Sequence, residues 1–223
     1  MFKDAEKIRN SFLFKKSNKI WNDEKLNSRM NIGSLMHLIN TMQPSTLEEW
    51  INMYFESGKK YENLLLNHKY ANYKEFGRSP KQLEIIATKL MEAINEQGYD
   101  INFNLAYKYV LIRVLYETWI GYSRERITLK KLQESFPNLI IRHTDQEIDS
   151  CMAVDFEVLT KGNKLLLGIQ VKSPRIRKQT MDLNLAKNKK YIKKYNVDVF
   201  YLIEDNNELI NIKELSTIIG HLV

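Results

Sequence analysis

Three residues with side chains suited to phosphate chemistry lie on neighbouring predicted strands. Asp155 stands near the start of one strand, and Gln170 and Lys172 lie two residues apart on the next. A turn signal at 161–163 predicts a hairpin, and residues two apart in a strand project from the same face. A carboxylate and an amide oxygen there can bind Mg²⁺, and a neighbouring lysine can orient a water and stabilise charge on a phosphate. The alternative is that Lys172 only marks the point where its strand reaches solvent.

The elements that would position these residues lie after Pro137, where the apolar pattern changes from helical to strand-like. The predicted strands cover residues 139–141, 154–159, 165–171, 197–203 and 209–212. A basic helix is predicted at 179–195, and a closing helix at 213–222. The acidic residues Asp145, Glu147 and Asp149 are interpreted as a loop, because no alternating strand follows them directly.

The region before Pro137 is predicted to be helical. Ser79-Pro80 is a helix start with Ser79 as N-cap, and Gly98 is a helix stop. Thr46, followed by Glu49, is the N-cap of an earlier helix. Residues 105–120 form a buried helix that continues in more polar form over 121–135. We therefore expect an α/β (α+β) protein, with a helical region at 1–104 and a region that carries the sheet at 105–223.

The charge of the chain is concentrated in one segment. The whole chain has a net charge of +7, but residues 155–194 hold eleven basic and three acidic residues, a net charge of +8. Such a density favours a polyanionic partner, although a solvated helix face is the simpler interpretation. A single Cys excludes a disulfide framework or a multi-Cys zinc site, and no stretch is apolar enough to span a membrane. The first residues lack the pattern of a signal peptide, so we expect a cytoplasmic protein.

These residues resemble the PD-(D/E)xK nuclease superfamily. Asp155 is followed by hydrophobic residues, and Gln170-Val171-Lys172 lies on the next strand. The segments TWIGYSRE, AVDFEV and GIQVKSP are most similar to type II restriction endonucleases of the MjaI-type group. This sequence departs from the usual motif in two places, with Val154 where Pro is usual and Gln170 where Asp or Glu is usual. The resemblance implies a central mixed sheet flanked by helices, as in restriction endonucleases, with the N-terminal helices serving dimerisation or DNA contacts.

The resemblance also implies roles for individual residues. Asp155, the Gln170 side-chain oxygen and the Val171 carbonyl would bind Mg²⁺, for which Mn²⁺ can substitute. Lys172 would position the attacking water and stabilise the pentacovalent phosphate. The candidate phosphate contacts are Arg175, Arg177, Lys178, Lys187 and Lys190. On the same basic helix, Lys189, Lys193 and Lys194 extend this set, with Tyr191 and Tyr195 interleaved.

The resemblance further implies a carboxylate from the helix that precedes the strands. Glu125 is the first candidate because it lies one turn after Gly121, and Glu117 is the second, about two turns earlier. A salt bridge with Arg113 is the alternative for Glu117. Glu157 projects from the same strand face as Asp155 and is a third candidate, or else a solvated strand residue.

The resemblance thus predicts a Mg²⁺-dependent endonuclease that cuts double-stranded DNA at a short specific sequence. It also implies a homodimer and a cognate DNA methyltransferase in the same system. Two alternatives stay open: a structure-selective repair or junction nuclease, and a non-catalytic DNA-binding protein on the same fold.

Overall fold

The computed structural model describes residues 2–69, 72–174, 178–205 and 208–223, without the side chains of residues 146, 147, 150, 179 and 180. The chain forms two compact units, Met1–Tyr122 and Ser123–Val223. Arg175 and Arg177, two of the predicted phosphate contacts, lie outside the described residues. The candidate site residues from Glu125 to Lys190 that are described all belong to the second unit.

The described part of the first unit is helical. Its helices are α1 Ala5–Asn10, α2 Phe12–Asp23, α3 Arg29–Ile32, α4 Leu35–Met42, α5 Leu47–Leu66, α6 Pro80–Glu96 and α7 Phe103–Leu111, followed by a π-helical stretch at Ile112–Tyr116. The predicted caps are confirmed: the Ser79 hydroxyl accepts from the Gln82 N–H, and the Thr46 hydroxyl accepts from the Glu49 N–H. Gly98, with φ +83°, follows α6 in the left-handed region that favours glycine.

The second unit contains a five-stranded mixed sheet. Its elements are α8 Glu117–Ser135, which begins in the first unit, β1 Leu139–His143, α9 Gln146–Met152, β2 Phe156–Thr160, β3 Leu165–Lys172, α10 Lys178–Tyr195, β4 Val199–Asp205, β5 Glu208–Leu209 and α11 Ile212–Leu222. The strands lie in chain order across the sheet. The pairs β1–β2, β2–β3 and β4–β5 are antiparallel, and β3–β4 is parallel. The predicted fold class, a mixed sheet flanked by helices, is confirmed.

The interpretation of residues 145–149 as a loop is wrong, because Gln146–Met152 is helix α9. The Asp145 side chain accepts a hydrogen bond from the Ile148 N–H at 2.8 Å and caps this helix. Ile148 and Met152 are one turn apart and pack with Val154 and Tyr191 in a small apolar cluster. The predicted order of elements therefore lacked one helix between the first and second strands.

The sheet of the second unit has an apolar core on each face. On one face, Leu132 of α8 and Leu215 and Ile219 of α11 pack on strand residues that include Phe156 and Ile169. On the other face lies the cluster formed by α9 and α10. The close approach of α10 depends on Gly168 of β3, since a Cβ atom there would lie 2.8 Å from Val154 Cγ1 and 3.0 Å from Tyr191 Cε1.

Candidate active site

Asp155 lies between α9 and β2, where hydrogen bonds from neighbouring segments fix its backbone. Its N–H donates to the Ile169 carbonyl at 2.8 Å, and its carbonyl accepts from the Thr144 N–H at 3.1 Å. Its side-chain Oδ2 accepts from the Val171 N–H at 2.6 Å. The carboxylate is therefore held against β3, beside the strand residues that the sequence predicted as its partners.

Gln170 and Lys172 project from the face of β3 that carries Gly168 and faces α10. Gln170 is 2% exposed, and its Oε1 atom has no hydrogen-bond partner among the described residues. Burial of a polar oxygen without a partner is costly, so a ligand for this atom is expected. Because the N–H and C=O of one strand residue point to the same side, the Val171 carbonyl lies on the side of β3 that faces Asp155.

Glu125 of α8 interacts through its charge with Asp155 and Lys172. Burial, together with the charges of Asp155 and Asp149, raises the pKa of Glu125 to about 7, against the opposing charge of Lys172. Burial likewise raises the pKa of Asp155 to about 6, against the influence of Lys172 and of the Val171 N–H. The predicted residues Glu125, Asp155 and Lys172 thus interact in the folded unit.

Asp149 of α9 is a residue that the sequence interpretation missed. Desolvation raises its pKa, and the charges of Lys172 and Lys187 lower it. It interacts electrostatically with Glu125 and Asp155 as well. The available signal was the Asp145 cap with apolar Ile148 and Met152 one turn apart, which predicts a helix that ends just before Asp155.

The other two carboxylate candidates have different partners. Glu117 pairs with Arg9, with 3.3 Å between its Oε1 and the arginine Nε, and its charge also acts on Arg113, the alternative partner. Glu157 is 5% exposed, so its interpretation as a solvated strand residue is wrong. It accepts hydrogen bonds from Arg142 at 2.9 Å and from the Tyr191 hydroxyl at 3.1 Å.

The basic face of α10 is exposed to solvent. Its exposed lysines are Lys178, Lys187, Lys189, Lys190, Lys193 and Lys194. Tyr191 is fully buried and Tyr195 is half-buried, with their ring centroids 4.7 Å apart. Tyr191 therefore packs against the sheet, and its predicted place among the exposed lysines is wrong, because its position on the helix turns it toward Gly168.

The oxygen atoms of this site have the chemistry that a hard divalent cation requires. They are the Asp155 carboxylate, Gln170 Oε1, which has no partner in the described part of the chain, and the Val171 carbonyl, with Glu125 close enough to interact by charge. Within the described ranges, no group of three or more His, Cys, Asp or Glu side chains is arranged to hold a metal ion.

The model of one protein family, described as MjaI restriction endonuclease, matches residues 17–214. The chain belongs to this family. This restriction endonuclease is therefore a type II deoxyribonuclease, a hydrolase that acts on DNA. No curated protein and no solved structure gives a significant match. None of the helices in the described segments of this endonuclease is long and apolar enough to cross a membrane.

Proposed function

We propose that this restriction endonuclease cuts double-stranded DNA at a short specific sequence with Mg²⁺, at a variant PD-(D/E)xK site. One observation carries the proposal: Gln170 Oε1, buried and without a partner among the described residues, lies on the strand that also binds the Asp155 carboxylate and carries Lys172. Restriction endonucleases generally use a divalent metal. The desolvated carboxylates and the orphaned amide oxygen would together accept such a cation.

Each residue of the site has a distinct role in the proposed reaction. Asp155, Gln170 and the Val171 carbonyl would hold the cation, and Glu125 would bind it directly or through a water. A bound divalent cation supplies Lewis-acid polarisation of the phosphate and a lower pKa for a bound water. Lys172 would orient the attacking water by hydrogen bonding and donate to a phosphate oxygen as negative charge develops.

The surroundings of Lys172 support this role. Its charge acts on the carboxylates of Glu125, Asp149 and Asp155, and on each it favours the ionised form. A lysine in that position offsets part of the rise in pKa that burial causes at Glu125 and Asp155. The interpretation of Lys172 as a mere strand end does not account for this grouping.

The exposed lysines of α10 are proposed to bind the DNA backbone. Contacts of this kind give affinity and salt dependence without sequence selection. Recognition of a palindromic target would require a two-fold homodimer, and self-protection of the host would require a cognate DNA methyltransferase. Both partners are part of the proposal.

The central test is cleavage of a long duplex with Mg²⁺ by wild-type protein and the variants Asp155→Ala and Lys172→Ala. We expect discrete fragments from the wild type, and a loss of at least about 100-fold from each variant, since general acid–base and electrostatic groups contribute about that much. Matched controls are Asp198→Ala and Lys164→Ala, which remove exposed side chains at the other end of the same two parallel strands. The controls should cut at the wild-type rate.

Three results would contradict the proposal. Wild-type rates from both folded site variants would refute the site assignment. Cutting only at branched DNA would indicate a structure-selective nuclease. Salt-sensitive duplex binding with no cleavage in Mg²⁺ or Mn²⁺ would indicate a DNA-binding protein without catalysis.

A further inference from the structure

Asn188 of α10 binds the end of the helix that precedes Asp155. It is 2% exposed, and its Nδ2 donates to the carbonyls of Met152 at 2.9 Å and Ala153 at 2.8 Å. The hydroxyl of Tyr201 on β4 donates to the Asn188 Oδ1. The amide is therefore fixed at both ends, and its two donated bonds satisfy carbonyls that the end of α9 would leave without partners.

The segment that Asn188 holds leads directly into Asp155. Ala153 has φ +54°, a left-handed conformation that a residue with a side chain adopts only when its surroundings hold it there. The next carbonyl, of Val154, accepts from the Thr144 hydroxyl at 2.5 Å, and that of Asp155 accepts from the Thr144 N–H. All four carbonyls from residue 152 to 155 are thus bound from outside the segment, two of them by Asn188.

We propose that Asn188, oriented by Tyr201, is a positioning residue that holds the turn from which Asp155 reaches the candidate metal site. This inference rests on the proposed function, because it assigns the metal-binding role to Asp155. Asn188 contacts neither DNA nor a cation in this role; it acts through the backbone of residues 152–155. The same contact holds α10 against α9, where Lys187 interacts with Asp149.

Two features separate this role from ordinary packing. Asn188 is a buried polar residue on a helix whose neighbouring side chains are mostly exposed lysines, and an apolar residue would fill the same space without binding the turn. Its hydrogen bonds converge on the carbonyls of Met152 and of the left-handed Ala153, two residues before Asp155, so a rotation there would displace the Asp155 carboxylate. Outer-shell groups that orient metal ligands in this way typically change metal affinity or activity by about 10–100-fold when mutated.

The test compares Asn188→Ala with the wild type in two measurements on the DNA-free protein. The first is Mn²⁺ binding, monitored by electron paramagnetic resonance, and the second is amide hydrogen exchange. We expect the Mn²⁺ dissociation constant to rise by about 10–100-fold. The Val171 amide, which is bonded to the Asp155 carboxylate, should exchange about tenfold faster, since the turn opens more easily once two hydrogen bonds are lost. Tyr201→Phe, which removes only the bond that orients the amide, should give a smaller change in the same direction.

The matched control is Asn211→Ala. Asn211, in the same unit, also makes backbone hydrogen bonds through both ends of its side-chain amide. Its Nδ2 donates to the Tyr201 carbonyl at 2.9 Å, and its Oδ1 accepts from the Ile203 N–H at 2.8 Å. This variant should lower the melting temperature and expose the Ile203 amide, but leave the Mn²⁺ affinity and the Val171 amide unchanged. If Asn188→Ala also loses only thermal stability, like this control, the positioning role is refuted.

Failure of the proposed function would give a different result. A wild-type protein that neither binds Mn²⁺ nor cuts DNA would overturn the metal site, and with it the catalytic meaning of Asn188. Hydrogen exchange at Val171 would still report whether Asn188 holds the Asp155 turn, because that measurement needs no metal. Unchanged exchange in Asn188→Ala would refute the positioning role whatever the outcome with Mn²⁺.

Discussion

Replacement of Glu125 by Gln tests the electrostatic description of the site most directly. The substitution keeps the shape of the side chain and removes its charge. In the metal-free protein the ionised Glu125 is unfavourable, because it is partly buried beside the carboxylates of Asp155 and Asp149. We therefore expect Glu125→Gln to stabilise the metal-free protein while it impairs Mg²⁺-dependent cleavage.

The magnitude follows from the pKa of Glu125, which rises from 4.5 to about 7 on folding. Between these values the folded state holds a proton that the unfolded state has lost, so this contribution to stability falls as the pH rises through the interval. At about 1.4 kcal/mol per pH unit, the ionised group lowers the free energy of unfolding by about 3 kcal/mol at pH 8, and by under about 1 kcal/mol at pH 5. Gln should recover about 2–3 kcal/mol at pH 8, or about 5–10 °C in melting temperature.

The assay is thermal unfolding in a chelating buffer at pH 5 and pH 8, followed by circular dichroism. Glu117→Gln is the control on the same helix: it removes a carboxylate that pairs with Arg9, and it should give no pH-dependent gain in stability and full cleavage activity. A stabilisation of Glu125→Gln that is equal at pH 5 and pH 8, or absent at both, would refute the grouping of these carboxylates. Cleavage at the wild-type rate would remove Glu125 from the site.

Three further outcomes are expected. Gln170→Glu should retain Mg²⁺-dependent cleavage, and in chelating buffer at pH 8 it should melt at a lower temperature than the wild type, because it adds a buried negative charge; lost cleavage would count against a metal-facing Gln170. Gly168→Ala should lower the free energy of unfolding by about 1–3 kcal/mol in urea titrations, since its Cβ atom would overlap the side chains of Val154 and Tyr191. An unchanged midpoint would show that α10 can shift away from the sheet. Lys190→Ala should reduce the slope of log affinity against log salt for duplex DNA by about 0.9, and an unchanged slope would remove this lysine from the DNA contacts.

The parts of the fold that the sequence predicted correctly depend on neighbours in the chain. The Ser79 cap and the 161–163 turn involve residues within four positions of each other, and strand alternation is equally local. The juxtaposition of Asp155 with Val171 was predictable because a hairpin joins their strands. The helix α9 was missed although its Asp145 cap was a local signal, because its apolar side consists of only Ile148 and Met152, which Tyr191 covers in the folded unit.

The parts that could not be predicted depend on pairs that are distant in the chain. Glu157 meets Arg142 across an antiparallel strand pair and Tyr191 from a helix 34 residues later, so its partners are not the residues that interact with Asp155. Asn188 reaches carbonyls 35 and 36 residues earlier. No local pattern distinguishes this asparagine from others on the basic helix.

The amino-acid sequence by itself determined the sheet and helix periods, the strand that carries Gln170 and Lys172, the excess of positive charge over 155–194 and the resemblance to restriction endonucleases. Only the tertiary structure decided which of the three candidate carboxylates interacts with Asp155, that Gln170 Oε1 has no partner among the described residues, and what holds the turn before Asp155. The physical reason is one of range. Capping and periodicity act within a few residues, whereas desolvation and charge interaction act through space and exist only once distant segments have packed together.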